Sequence, residues 1–110
     1  MSVEVVLTED AVADLDEIHR HIAEADGISR ADAVIDGISS RLAKLADFPN
    51  ADEHPPELLA LGIREFRQAH HKPWRAIYRV DAERGFVHVL LVSDGRRDFR
   101  MLLQRRLLSG

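Results

Sequence analysis

The sequence predicts an α+β fold, with an N-terminal strand, an antiparallel helical hairpin packed on an antiparallel sheet, and a short C-terminal helix. Three observations predict it. Two successive stretches place apolar residues at steps of 4, 3, 4 and 3, the spacing of one helix face. After Gly62 the period changes from helical to extended. Runs of strands and helices are segregated along the chain rather than alternating, so the sheet need not be parallel.

Each element has its own signal. Val3 to Thr8 is short and β-branched and reads as a strand. Thr8 can cap the helix that follows, with Glu9 and Asp10 against the positive end of its dipole. Ala11, Leu15, Ile18, Ile22 and Ala25 form its apolar face, and Gly27 is a natural stop. Ser29-Arg30-Ala31-Asp32 resembles a capping-box start for a second helix. Its face is Ala31, Ile35, Ile38, Leu42 and Leu45, and Phe48-Pro49 ends it. So short a link makes the two helices antiparallel.

Asn50 to Pro56 reads as a loop, and Glu57 to Leu61 as one helical turn. Ile63–Gln68, Trp74–Asp81 and Phe86–Ser93 are the candidate strands of the second half. The third is nearly all apolar, as suits a central strand buried on both faces. Ala82 to Gly85 supplies a turn, and Arg96 to Leu108 a short helix with Leu102, Leu103 and Leu107 inward. No repeat or second domain is visible, so residues 1–110 are taken as one domain.

Composition narrows the function. There is no cysteine, which removes disulfides and thiolate metal sites and suits a reducing compartment. The first residues carry no basic stretch before a long apolar run, and nothing approaches the roughly 18 apolar residues of a membrane span. A cytoplasmic protein that does not engage membranes is expected. The net charge of −4 divides unevenly: residues 1–55 hold 4 Lys/Arg against 13 Asp/Glu, and residues 56–110 hold 11 against 6. An acidic half and a basic half suggest that one face meets an anion or an acidic partner.

Arginine is the residue that carries candidate chemistry. Arg64 and Arg67 flank Phe66, Arg75 and Arg79 share a strand face, and Arg96 and Arg97 follow the central strand, with Arg100 shortly after. Neighbouring strands would let these side chains converge into a phosphate or carboxylate site, because guanidinium makes bidentate charged hydrogen bonds. A solvated face with local pairs to Glu65 and Asp98 is the other reading. The six histidines show no metal spacing, and no metal or cofactor is expected. His70 or His71 beside Lys72 could act as acid or base, whereas His88 alternates with core valines. Trp74 and Tyr78 could stack on a base or pack beneath the hairpin. No nucleophile motif, glycine-rich phosphate loop or dinucleotide fingerprint is present.

Several segments taken in order resemble one known family. Val6-Leu7-Thr8-Glu9-Asp10-Ala11 and Asp14 to Ile18 resemble the start of ParE-type toxins, and Leu45-Ala46-Asp47-Phe48-Pro49 is similar to the end of their second helix. Gly62 to Arg67 and Trp74 to Val80 resemble the paired strands of the RelE/ParE superfamily. Val89 to Asp98, closing with Arg105-Arg106-Leu107, resembles its C-terminal signature. The resemblance implies a hairpin on a curved antiparallel sheet and a cognate ParD- or RelB-like antitoxin. It also implies one of two actions: poisoning of DNA gyrase without catalysis, as in ParE-type members, or ribosome-dependent mRNA cleavage, as in RelE-type members. For cleavage, the strand match makes Arg67, Arg75 and Arg97 the phosphate-facing residues. The family's ribonucleases also usually carry a tyrosine or histidine near the C-terminus, and Phe99 to Leu108 has neither. On the gyrase reading, Arg64, Arg67, Arg75, Arg79, Arg96, Arg97 and Arg100 bind antitoxin or target. A non-toxic module that retains only antitoxin binding is a third reading.

Overall fold

The computed structural model describes residues 3–96 and 98–108. A four-residue strand β1 (Glu4–Leu7) leads into helix α1 (Glu9–Asp26). Thr8 caps it by accepting the Ala11 N–H at 3.2 Å. Helix α2 (Ile28–Ala43) starts one residue later. Gly27 is the whole link, at φ +95°, a conformation that side-chain-bearing residues rarely adopt. The expected capping box is not formed: α2 begins at Ile28 with Gly27 as its cap, so Ser29 and Asp32 lie within the helix. Asp32 instead meets His19 of α1 at 2.8 Å, across the hairpin.

A 3₁₀ turn (Lys44–Ala46) closes α2, and the Ala46 carbonyl accepts the Val3 N–H at 2.8 Å, which brings the chain back to the start of β1. After a loop, one helical turn α3 (Pro56–Leu59) precedes strands β2 (Phe66–His71), β3 (Trp74–Asp81) and β4 (Phe86–Asp94). Helix α4 (Phe99–Leu103) continues into a wider π turn (Gln104–Leu108). The second-half strands are those the sequence indicates, except that β2 begins at Phe66 and runs through both histidines.

The sheet order is β1-β4-β3-β2. The strands β2, β3 and β4 are antiparallel as expected, and β1 adds to β4 in parallel, so the complete sheet is mixed. The α1–α2 hairpin packs on one face. The predicted stripes meet there: Ala11, Ile18, Ile38, Leu42 and Leu45 are buried against Ala69, Ala76, Tyr78, Val87, Val89 and Val92. The other face carries a second apolar cluster, in which Leu58 of α3 and Phe99 and Leu103 of α4 cover Phe66, Ile77 and Leu91. Burial on both sides explains why β4 is so apolar.

β1 stops opposite Val89, whereas β4 runs on to Asp94. Its register slips against β3 between Ile77 and Tyr78, leaving Leu90 as the extra, bulged residue. Bare backbone on this edge is satisfied by side chains. Asp14 of α1 accepts the Val92 N–H at 3.0 Å, and Arg106 donates to the Leu90 carbonyl at 2.9 Å. Arg106 and Asp14 also form a two-pronged pair at 3.0 and 3.1 Å. This clasp does for β4 what a longer β1 would have done, and it fastens the C-terminal segment to α1.

Both partners are mostly shielded, at 20% and 17% side-chain exposure. Removing one leaves a charge and a strand-edge group without their partners. Arg106→Ala is therefore expected to destabilise the chain by about 2 to 3 kcal/mol. Urea unfolding measures it, and a loss under about 0.5 kcal/mol, the size of an ordinary surface change, would show that the clasp is not a structural tie.

Candidate functional site

The outer face of the sheet, away from the hairpin, is organised around Arg75 in β3. Its Nη1 and Nη2 donate to the two carboxylate oxygens of Glu57, each at 2.8 Å. Its Nε donates to Oε1 of Gln68 at 2.9 Å, and Nη2 reaches the same oxygen. The ring of Phe99 lies across the guanidinium, 3.8 Å from its carbon to the ring centroid. Gly95 leaves room for the side-chain stem, because a Cβ there would stand 2.7 Å from Arg75 Cδ. Gln68, itself buried, donates onward to Glu53 at 2.8 Å. The Arg75 hydrogen bond, the largest influence on it, holds the Glu57 carboxyl below its usual value despite burial, so this is a standing ion pair.

Arg67 lies on the opposite face. Its strand partner is Tyr78, which is fully buried under the hairpin, while Arg75 pairs with His70. Arg67 Nη1 donates to the Asp52 carbonyl at 2.6 Å. The Asp52 carboxylate accepts from Arg41 at 2.5 Å and from the Tyr78 hydroxyl at 2.9 Å. Burial first, and then the neighbouring Asp52 carboxylate, push the Tyr78 hydroxyl up, so it stays a donor. Tyr78 is thus sealed in the core, while Trp74 is half-buried against the same cluster.

The seven arginines named from the sequence are distributed rather than gathered. Arg64, Arg79 and Arg100 are exposed, on the β2 approach, the outer sheet face and α4 respectively. Arg96 is exposed and pairs with Asp94 at 2.7 Å. Arg97 lies outside the described residues. Arg67 and Arg75 are separated by the sheet, so the expected convergence of these two is not what the backbone produces. The histidines also divide. His70 is on the outer face with Glu53 at 3.4 Å, and His71 packs so closely on α2 that a Cβ at Gly37 would stand 2.5 Å from its Nε2. His88 is half-buried, 5.9 Å from the Phe86 ring. The residues that sequence reasoning passed over are the partners: Glu57, Gln68 and Phe99 around Arg75, Asp52 around Arg67, and Asp14 in the clasp.

Comparison with known proteins decides what this arrangement belongs to. Residues 5–99 match the family described as ParE toxin of type II toxin-antitoxin system, parDE.

The chain belongs to the ParE toxin family.

Toxin ParE3 of Caulobacter vibrioides is 30% identical over 102 residues, spanning 93% of this chain and 96% of that protein. Among solved structures, the chromosomal ParDE system from P. aeruginosa aligns with a TM-score of 0.69 at 20% identity, over 84% of this chain and 96% of that one. An arginine-substituted mutant of the E. coli toxin RelE in the free state aligns with a TM-score of 0.66 at 15% identity, covering 97% and 100%. At such identities these structures show a shared fold. Within the family frame, Arg75 sits on an outer sheet face closed over by α3 and α4, with four of its N–H groups taken by Glu57 and Gln68.

The pair predicts an acid-linked loss of stability. The folded chain holds the Glu57 carboxyl below its usual value of 4.5, so unfolded chains take up the proton first as pH falls. The contribution of the pair is complete above about 4.5 and is lost as pH drops through the lowered folded value. Glu57→Gln is expected to cost about 1 to 2 kcal/mol at pH 7, and the difference from the parent chain should shrink below pH 4. Urea midpoints of the two proteins from pH 3 to 7 check it; a gap independent of pH would show that Glu57 is not the group responsible.

Proposed function

We propose that this chain is the gyrase-directed toxin of a type II toxin–antitoxin pair, acting by binding rather than by cleavage, and neutralised by a cognate antitoxin. The observation that carries the reading is the environment of Arg75. A guanidinium that stabilises charge on a scissile phosphate must present free N–H groups to it. Here Arg75 spends four of its five on Glu57 and Gln68 and is covered by Phe99. A phosphate would have to displace a paired carboxylate, at a cost in both Coulomb energy and hydrogen bonds.

The groups packed directly on Arg75 offer no proton transfer of their own, and His70, its cross-strand neighbour on the same face, meets Glu53 at 3.4 Å. The aromatic group over Arg75 is a phenylalanine, which can neither give nor take a proton, and Glu57 is held ionised by its pairing. The Tyr78 hydroxyl is on the far side of the sheet, bound to Asp52. The exposed arginines Arg64, Arg79 and Arg100 are proposed as binding contacts for target or antitoxin, with Arg96, exposed but paired with Asp94, and Arg97 proposed beside them from the sequence. The family match and the ParE3 relative support the toxin assignment and, with it, an antitoxin encoded as a partner.

A supercoiling assay with purified DNA gyrase tests the reading. The chain is expected to inhibit the enzyme at stoichiometric to low-micromolar concentration, and the product of the neighbouring small reading frame should relieve it. Folded protein that arrests growth but leaves supercoiling untouched would refute the gyrase assignment.

A further inference from the structure

The β2–β3 turn, Lys72-Pro73, and the start of α2 enclose a cavity of about 440 Å³. The sheet contributes Trp74 and Pro73 to its walls, and the hairpin contributes Ile22 and Val34. Trp74 packs against the core cluster yet stays partly open to this space. The volume falls in the range of about 300 to 1,000 Å³ common to small-molecule sites, where apolar walls meet a few convergent polar groups.

The polar groups here are mainly cations. Arg30, Lys72 and Arg96 share the lining, with Asp26 as its one carboxylate. Arg96 is already engaged by Asp94 at 2.7 Å. Arg30 and Lys72 are exposed, and among the described residues neither meets a carboxylate within ion-pair distance. They come from different elements, α2 and the β2–β3 turn, so an anion with several oxygens can be shared between them. The first turn of α2, which carries Arg30, has no acidic residue to oppose that anion. Trp74 also walls a neighbouring groove lined by Asp14, Glu17 and Asp94, which would repel an anion and leave the cationic side as its place. A free inorganic anion would leave the apolar slot unfilled. A flat ring joined to a phosphate fills both parts, since the ring stacks on the indole and the phosphate takes charged hydrogen bonds.

We infer that this cavity binds a nucleoside phosphate, with the base on Trp74 and the phosphate held between Arg30 and Lys72. Asp26 is then placed to accept a hydrogen bond from a sugar hydroxyl or an amino group of the base. A free nucleotide and an unpaired nucleotide within a DNA strand offer the same chemistry. The site does not depend on the gyrase reading, which leaves Arg30, Lys72 and Trp74 idle.

Trp74 is the sole tryptophan of the chain, so its emission, excited beyond the absorption of the base, reports the site directly. AMP is expected to quench it with half-saturation below about 1 mM. Adenosine, which lacks the anion, and ribose phosphate, which lacks the base, should each bind about tenfold more weakly or worse. Arg30→Ala with Lys72→Ala should weaken AMP by about tenfold or more and leave adenosine unchanged. Both side chains are exposed, so circular dichroism and the urea midpoint should match those of the parent chain. Thymidylate against an oligothymidylate distinguishes the two sources. Tighter binding by the strand, lost as salt is added, points to DNA; equal or weaker binding by the strand points to a free nucleotide. Quenching that needs more than about 1 mM AMP, or that the double variant leaves intact, would overturn the site. A glutamate peptide that binds as tightly as AMP, with the same dependence on Arg30 and Lys72, would overturn the nucleotide and make this a seat for acidic peptides.

Discussion

A guanidinium shut away from water must be given back the hydrogen bonds that water supplied, and the outer half of this fold is arranged around that requirement. Arg75 is only 11% exposed. Its charge is answered by Glu57, and the single turn of α3 delivers that carboxylate over the sheet. Its remaining reach is answered by Gln68, two strand positions from His70 on the same face. Phe99 then covers the flat of the group and seats α4. The apolar cluster of Leu58, Phe66, Ile77, Leu91 and Leu103 lies on the same face, and the partial shielding of the ion pair, 11% and 24% exposed, strengthens it and raises the cost of breaking it. Its neighbours thus take up four of its N–H groups and one face of the guanidinium.

The inner half answers to a different constraint, the unequal lengths of β1 and β4. A strand that outruns its neighbour leaves backbone groups that must find partners. Asp14 and Arg106 provide them, and in doing so connect the first helix to the last turn of the described chain. A groove with Trp74 in its wall lies beside the clasp.

The periodic parts of the fold were legible in the sequence. Helix faces recur at 3.6 residues and the stripes of α1 and α2 face the core, apart from Ala25 at the end of α1, which is exposed, while β3 and β4 lie where β-branched and aromatic residues cluster. The site was legible in residue type and not in arrangement. Whether Arg67 and Arg75 share a face depends on the register of β2 against β3, and the pairing of Arg67 with Tyr78 is a tertiary result that no local pattern encodes. The parallel placement of β1 beside β4 is likewise set by the return of the chain from Ala46 to Val3. Glu57 and Asp14 read as ordinary acidic residues on short or amphipathic helices. Only the fold shows that each is the counter-charge of an arginine far along the chain.

The two halves support one account: a small ParE-family toxin whose interior arginines hold it together and whose surface does the recognition. That account stands or falls on whether growth arrest by this chain involves RNA cleavage. Sequencing of mRNA 5′ ends from cells arrested by the chain, beside cells carrying Arg75→Ala at matched folded abundance, measures it most directly. The account predicts no new ends within translated codons for either protein. New ends that appear with the parent chain and vanish with Arg75→Ala would contradict it and make Arg75 a catalytic group.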